Sequence, residues 1–118
     1  MDTLMEVTRE ILAFRDERDW AQFHKPRQLA AALAVEAGEL QEAMLWKTDS
    51  EVEALLADVG KRVLIERELA DVLIFTLLLC HETHTDPISA IRGKLRDTAE
   101  KYPVELARGK AEKYPDLR

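Results

Sequence analysis

Apolar residues recur along this chain at spacings of three and four, and the alternation expected of a strand is weak throughout. The first predicted helix runs from about Thr3 to Asp19, with Leu4, Val7, Ile11, Leu12 and Phe14 on its apolar side. The stretch Trp20 to His24 breaks that pattern and carries much of the aromatic content. Pro26 suits the first turn of a second helix, because its missing N–H is no loss there. That helix continues to about Trp46, and its Ala30–Ala34 run and Gly38 permit close helix contact. Lys47 to Ser50 reads as a turn and cap, and a shorter helical piece from Glu51 to Asp58 precedes Gly60. A long helix follows from about Lys61 to Glu82, apolar over most of its circumference from Leu69 onwards. That is the pattern of a central helix or of one shared between subunits. Asp86-Pro87 restarts the chain as N-cap and first helical residue. The helix it opens runs to about Lys101 and stops before Pro103, leaving a charged, partly helical tail from Val104 to Arg118. The expected fold is all-α, four-helix-bundle-like, with residues 1–118 forming a single domain.

Two acidic doublets interrupt the apolar stripes. Glu36 and Glu39 lie in AALAVEAGELQEAMLW, and Glu68 and Asp71 in ERELADVLIFTLLLC. Residues three apart share a helix face, so each doublet aims two carboxylates the same way. At 100° per residue Glu36 falls in a stripe with Leu29, Ala32, Leu33, Leu40 and Ala43. Glu68 falls in one with Leu64, Val72, Phe75 and Leu79. Carboxylates on faces that should be buried need a counter-charge, since an unpaired buried ion costs several kcal/mol. A hard divalent cation supplies one, and an oxygen-only donor set favours Mg²⁺, Mn²⁺ or Ca²⁺ over zinc or iron. A single E-x-x-E is more often a solvated face, as expected of Glu51 and Glu53; two doublets on successive apolar stripes are much less so.

Composition narrows the partners. The 118 residues carry a net charge of −6, and no basic patch stands out, which argues against broad binding to a nucleic-acid backbone. An acidic protein can still hold a polyphosphate if a bound metal supplies the attraction. Cys80 is the single cysteine and lies in the apolar run, so it excludes an internal disulfide framework and suits a core position. The opening MDTLMEVTRE is acidic and lacks an apolar core, unlike a secretory leader. The longest apolar run, Val72 to Cys80, is too short to span a bilayer. A reducing, cytoplasmic setting without membrane attachment is expected. His81 and His84 do not form the H-E-x-x-H zinc pattern and are better explained as helix-end residues. Trp20, Phe23 and Trp46 flank the acidic second helix and could either fill core or stack on a base. Lys94, Arg96 and Lys101 could meet phosphates or form a solvated face.

The segment RDWAQFHKPRQLAAALAVEAGELQEAMLWKTD, followed by ERELADVLIF and later KYP, resembles the MazG-like all-α nucleoside triphosphate pyrophosphohydrolases, and within them most resembles the dCTP pyrophosphatase branch. The likeness extends from about residue 8 to residue 115, and E-x-x-E followed by E-x-x-D on the next long helix is the family's metal motif. The resemblance implies hydrolysis of (deoxy)nucleoside triphosphates to monophosphate and pyrophosphate, with Mg²⁺, or Mn²⁺ in its place, held by Glu36, Glu39, Glu68 and Asp71. It implies substrate contacts from Trp20, Phe23, His24 and Trp46 around the base, and from Lys94 and Tyr102 near the phosphates. Glu39 is the expected proton acceptor for the attacking water. A homo-oligomer is also implied, a dimer or a tetramer built as a dimer of dimers. Departures bear on the base: Ile11 and Phe75 stand where animal-type relatives carry His and Tyr, and Thr98 where many members carry Asn. Hydrolysis is therefore a firmer inheritance than cytosine selectivity. Two other readings stay open, a helical oligomerisation module with structural acids and a pyrophosphohydrolase for a different nucleotide.

Overall fold

The computed structural model describes residues 3–113, and every regular element among them is helical. The chain divides into two compact units, residues 1–84 and 85–118. The first holds α1 (Leu4–Glu17), a short 3-10 turn (Ala21–Phe23), α2 (Pro26–Glu42), α3 (Asp49–Ala57) and α4 (Val59–Glu82). The second holds α5 (Pro87–Lys101) and α6 (Val104–Ala107). The remainder of the expected tail, residues 114–118, lies outside the described residues.

Local chemistry fixes the helix ends. Thr3 caps α1 by accepting from the Glu6 N–H at 3.1 Å. Thr48 and Glu51 form a reciprocal capping box that starts α3, at 3.2 and 3.1 Å, which gives Glu51 a structural role beyond a solvated face. Asp58 caps α4 by accepting from Lys61 N–H at 3.1 Å. The last case corrects the expected break at Gly60: a carboxylate two residues earlier starts the helix, and the glycine sits in its first turn, where it does little harm. Helix α2 ends at Glu42 rather than near Trp46. Tightened turns follow it, and Trp46 takes the left-handed conformation (φ 66°) that more often falls to glycine after a helix. Asp86 accepts from Ile88 N–H and starts α5 with Pro87 at its first position, as the sequence predicts.

Helix α4 organises the first unit. Helix α2 packs along it most extensively, and α3 and α1 also rest on it. The buried apolar centre consists of Leu29 from α2 and Ile65, Leu77 and Leu78 from α4. On the N-terminal half of α4 the covered side is that of Ile65, and Leu64, expected in the buried stripe, is 60% exposed. Helix α1 is held differently. Its most buried residue is not an apolar one but Arg15, whose Nη1 donates to Glu82 at the end of α4 at 2.8 Å and whose Nε donates to Asp16 at 2.9 Å. Beyond α1, Trp20 packs edge-on against Phe14 with ring centroids 5.7 Å apart, while the Arg18 guanidinium lies 3.6 Å from the centre of the same Phe14 ring. These contacts fold the Trp20–His24 segment back against the helix that precedes it.

A buried guanidinium that loses its carboxylate keeps its desolvation cost without compensation. Glu82→Gln should therefore lower stability by about 1–2 kcal/mol, below the fully buried case because the carboxylate is partly exposed. Thermal denaturation of the variant checks this; an unchanged midpoint would mean that Asp16 alone suffices for Arg15.

Candidate metal centre and adjoining cavity

The α2–α4 seam brings the two acidic doublets together. One carboxylate oxygen from each of Glu36, Glu39 and Glu68 lies within 4.8 Å of the others. Glu36 and Glu68 are half-buried, and each has one oxygen, Oε2, sealed from solvent with no hydrogen-bond partner. Among the described residues the ion pairs are Arg15 with Asp16 and Glu82, Arg18 with Glu17, and Arg62 with Glu66. None reaches the acidic cluster.

The electrostatics follow from that isolation. The Glu36 carboxyl is raised above its ordinary range, first by a hydrogen bond with Glu39, then by burial and by the charges of Glu39, Asp71 and Glu68. Glu68 is raised chiefly by burial, then by the charges of Glu39 and Asp71 and by contact with Glu39, with Glu42 adding to it. Asp71 thus acts on both glutamates through its charge but is not among the three whose oxygens converge most closely. Glu42, six residues beyond Glu36, also contributes negative potential and is not part of the E-x-x-E pattern.

An oxygen-only donor set, sealed oxygens without partners and carboxyls pushed towards their neutral forms fit a hard divalent cation. Mg²⁺ is held by carboxylates in this way when the rest of its coordination comes from water and phosphate.

A cavity of about 310 Å³ is lined in part by Asp71, whose charge acts on Glu36 and Glu68 of the cluster. Its walls are Ile11, Phe14 and Arg15 of α1, Trp20 and His24 of the following segment, and Asp71, Ile74, Phe75 and Leu78 of α4. The α4 contribution is one helical face, since positions 71, 74, 75 and 78 are spaced i, i+3, i+4 and i+7. The volume is at the small end for a ligand site, and the lining combines an apolar wall with a few polar groups. Ile11 and Phe75 help to make that wall apolar.

The remaining sequence candidates are distributed unevenly. Trp20 and His24 line the cavity. Phe23 is 60% exposed and Trp46 92% exposed, and neither lines it. Lys94 lies on α5 and Tyr102 follows its last turn, both in the second unit. His81 and His84 occupy the end of α4, in accord with the expectation for them. Cys80 is a half-buried free thiol. Sequence reasoning missed Arg15, Phe14, Ile74 and Leu78 as cavity walls. Arg15 follows Ile11 at i+4 on the same face of α1, which is the signal that could have found it.

Comparison with known proteins identifies relatives of this chain. The model of the MazG-like family matches residues 31–117. The dCTP pyrophosphatase 1 of Rattus norvegicus is 42% identical over 115 residues, covering 98% of this chain and 68% of that protein. Its Homo sapiens counterpart is 39% identical over the same length. A crystal structure of a pyrophosphatase from Archaeoglobus fulgidus superposes with a TM-score of 0.77 at 35% identity, covering 87% of this chain and 94% of that one. A family match over most of the chain, with relatives of this identity, settles the kinship: this chain belongs to the MazG-like family.

Proposed function

We propose that this chain is a nucleoside triphosphate pyrophosphohydrolase that uses Mg²⁺ to release pyrophosphate and a nucleoside monophosphate, with dCTP or a modified dCTP as substrate. The observation that carries the reading is the acidic cluster without a counter-charge, set beside a ring-sized cavity lined by Asp71, whose charge acts on the cluster. The dCTP pyrophosphatase relatives support the substrate class.

Glu36, Glu39, Glu68 and Asp71 are the residues assigned to hold the cation. Bound there, it supplies neutralisation of the triphosphate charge and Lewis acidity towards the attacking water. The chain's own part is positioning and electrostatics, as in other phosphoryl transfers. The acids fix where the triphosphate lies, and their net negative charge repels it when no cation is present. Glu39, exposed and hydrogen-bonded to Glu36, is the carboxylate assigned to accept the water's proton. The apolar cavity seats the base, with the Trp20 ring available for stacking, worth about 1–3 kcal/mol per base. Lys94 and Tyr102 are assigned to the phosphates, and Phe23 and Trp46 to the base.

Trp46 and Phe23 are exposed, as are Leu64 and Leu73 of α4, each more than half. A homo-oligomer, in the form of a tetramer, would cover such surfaces and let exposed aromatics serve a neighbouring copy. Light scattering is expected to give a particle larger than one chain, and a monodisperse monomer would remove this part of the reading. Among the described residues no helix is long and apolar enough to cross a membrane. A cytoplasmic location is part of the same proposal.

Pyrophosphate release from a panel of dNTPs and modified dNTPs, with Mg²⁺ and with EDTA, tests the activity. Release is expected only with metal, ranked with the cytosine nucleotides first, and Glu36→Gln should reduce it at least 100-fold, on the order of the loss of a first-rank electrostatic group, while the protein stays folded. Silence across the panel from folded, Mg²⁺-supplemented protein would favour an oligomerisation module with structural acids.

The raised carboxyls give the site a signature in stability. Between the ordinary and the raised values the folded chain holds more protons than the unfolded one, so stability falls as pH rises through that window. Metal-free Glu36→Gln/Glu68→Gln is therefore expected to melt above metal-free wild type at pH 7, with the gap narrowing as pH is lowered into the carboxylate range. Added Mg²⁺ should raise the melting midpoint of the wild type alone, and more at pH 7 than at pH 5, because the cation competes with protons. Melting curves at the two pH values, with and without Mg²⁺, decide it.

A further inference from the structure

The two sides of the cavity are anchored in different ways. Asp71, Ile74, Phe75 and Leu78 belong to α4, which is fixed by α2 packed along it and by α3. Ile11, Phe14 and Arg15 belong to α1, and among the described residues α1 adds nothing to the buried apolar centre. Leu4, Met5 and Phe14 are exposed, and the buried residue of the helix is Arg15. The hold on α4 therefore falls to an ion pair. Arg15 Nη1 donates to Glu82 at 2.8 Å, and the two side chains are 9% and 27% exposed, so salt screens the pair little. The other partner of Arg15, Asp16, is the next residue of α1 and ties that helix to no neighbour.

The placing of the pair matters as much as its strength. Arg15 lies on the cavity wall, whereas Glu82 ends α4 and is not among the lining residues. Just past α1 the chain turns through Asp19 in the left-handed region (φ 54°), which a short polar residue tolerates. Gln22 Nε2 braces that turn by donating to the Asp19 carbonyl and carboxylate at 3.0 and 3.1 Å. Changes at a wall of this kind are absorbed at such element-terminal positions. A 14-residue helix without its support is marginal in water. Helix α1 thus opens as a unit at the free energy of a few contacts, below that of the α2–α4 core. A ring seated in the cavity has this helix on one side and α4 on the other.

We propose that Arg15 is a positioning residue that acts through Glu82: their ion pair is a latch that holds α1 closed as one wall of the cavity, and the base enters and leaves when that wall opens. The inference rests on the cavity being the base seat in the proposed activity. It adds how the seat is kept shut.

The test reads rates rather than affinity alone. Binding of the non-hydrolysable α,β-imido analogue of dCTP, with Mg²⁺, is followed by stopped-flow tryptophan fluorescence for wild type and Glu82→Gln, with Trp20 on the wall as reporter. Opening precedes both entry and exit. Weakening the latch should therefore raise kon and koff together, each roughly 10-fold for a charge-assisted hydrogen bond made neutral, and leave Kd unchanged. A group that held the ligand itself would raise koff alone. Amide exchange gives a second reading without ligand. In wild type the α1 amides should share a protection roughly 10-fold or more below that of the middle of α4, because they exchange through the opening, and Glu82→Gln should lower it further. Equal protection of α1 and α4 in wild type would overturn the proposal without any variant having to fold. So would a rise in koff alone, or unchanged rates in folded Glu82→Gln. Any of these results in a wild type that hydrolyses dNTPs sinks the latch and spares the activity. A folded wild type that neither binds the imido analogue nor releases pyrophosphate sinks the activity, and the latch with it.

Discussion

Repulsion between carboxylates at the α2–α4 seam is the constraint around which the first unit is built. Leu29, Ile65, Leu77 and Leu78 draw the two helices together, and in doing so bring Glu36, Glu39 and Glu68 to within 4.8 Å of one another. The acids cannot separate without opening that apolar contact, and two of them cannot turn their sealed oxygens to water. Packing thus works against electrostatics at one place, and the Glu36 and Glu68 carboxyls, raised above their ordinary range, register the conflict. Stability and chemistry are linked through this seam, because whatever neutralises the acids also relieves the helices that carry them.

Helix α4 extends the same logic from the acidic seam to the cavity. Glu68 faces the acidic seam, Asp71 stands where seam and cavity meet, and Ile74, Phe75 and Leu78 continue as cavity wall. Under three turns of one helix therefore separate the charged cluster from the far end of the apolar cavity wall. The opposite cavity wall depends on α1, which is held to α4 by the Arg15–Glu82 pair and followed by the folded-back Trp20–His24 segment.

Much of this was legible in the sequence, and the reasons differ by element. The acidic doublets stood out because carboxylates at i, i+3 in apolar helices conflict with burial, and such a conflict is visible without coordinates. The start of α5 was legible because Asp86 and Pro87 each have one strong positional meaning. The end of α2 was not, since Ala, Met and Leu up to residue 45 continue a helical pattern that the backbone leaves after Glu42. Gly60 misled because a capping aspartate two residues upstream outweighs a glycine's low helix propensity. Arg15 was hidden for a different reason: charge predicts exposure, and only the distant Glu82, 67 residues along the chain, makes its burial tolerable. Pairings of that separation have no local signal.

The backbone at Trp46 carries a consequence of its own. A bulky aromatic residue at φ 66° is a genuine outlier, strained by about 1 kcal/mol or more relative to glycine. Its side chain is 92% exposed and recovers little of that cost by packing within the chain. Laboratory evolution for heat resistance alone would therefore be drawn to this position and would replace the indole with glycine. A thermostable line obtained that way would have traded an aromatic surface for backbone ease, so this residue is one to hold fixed when the protein is engineered.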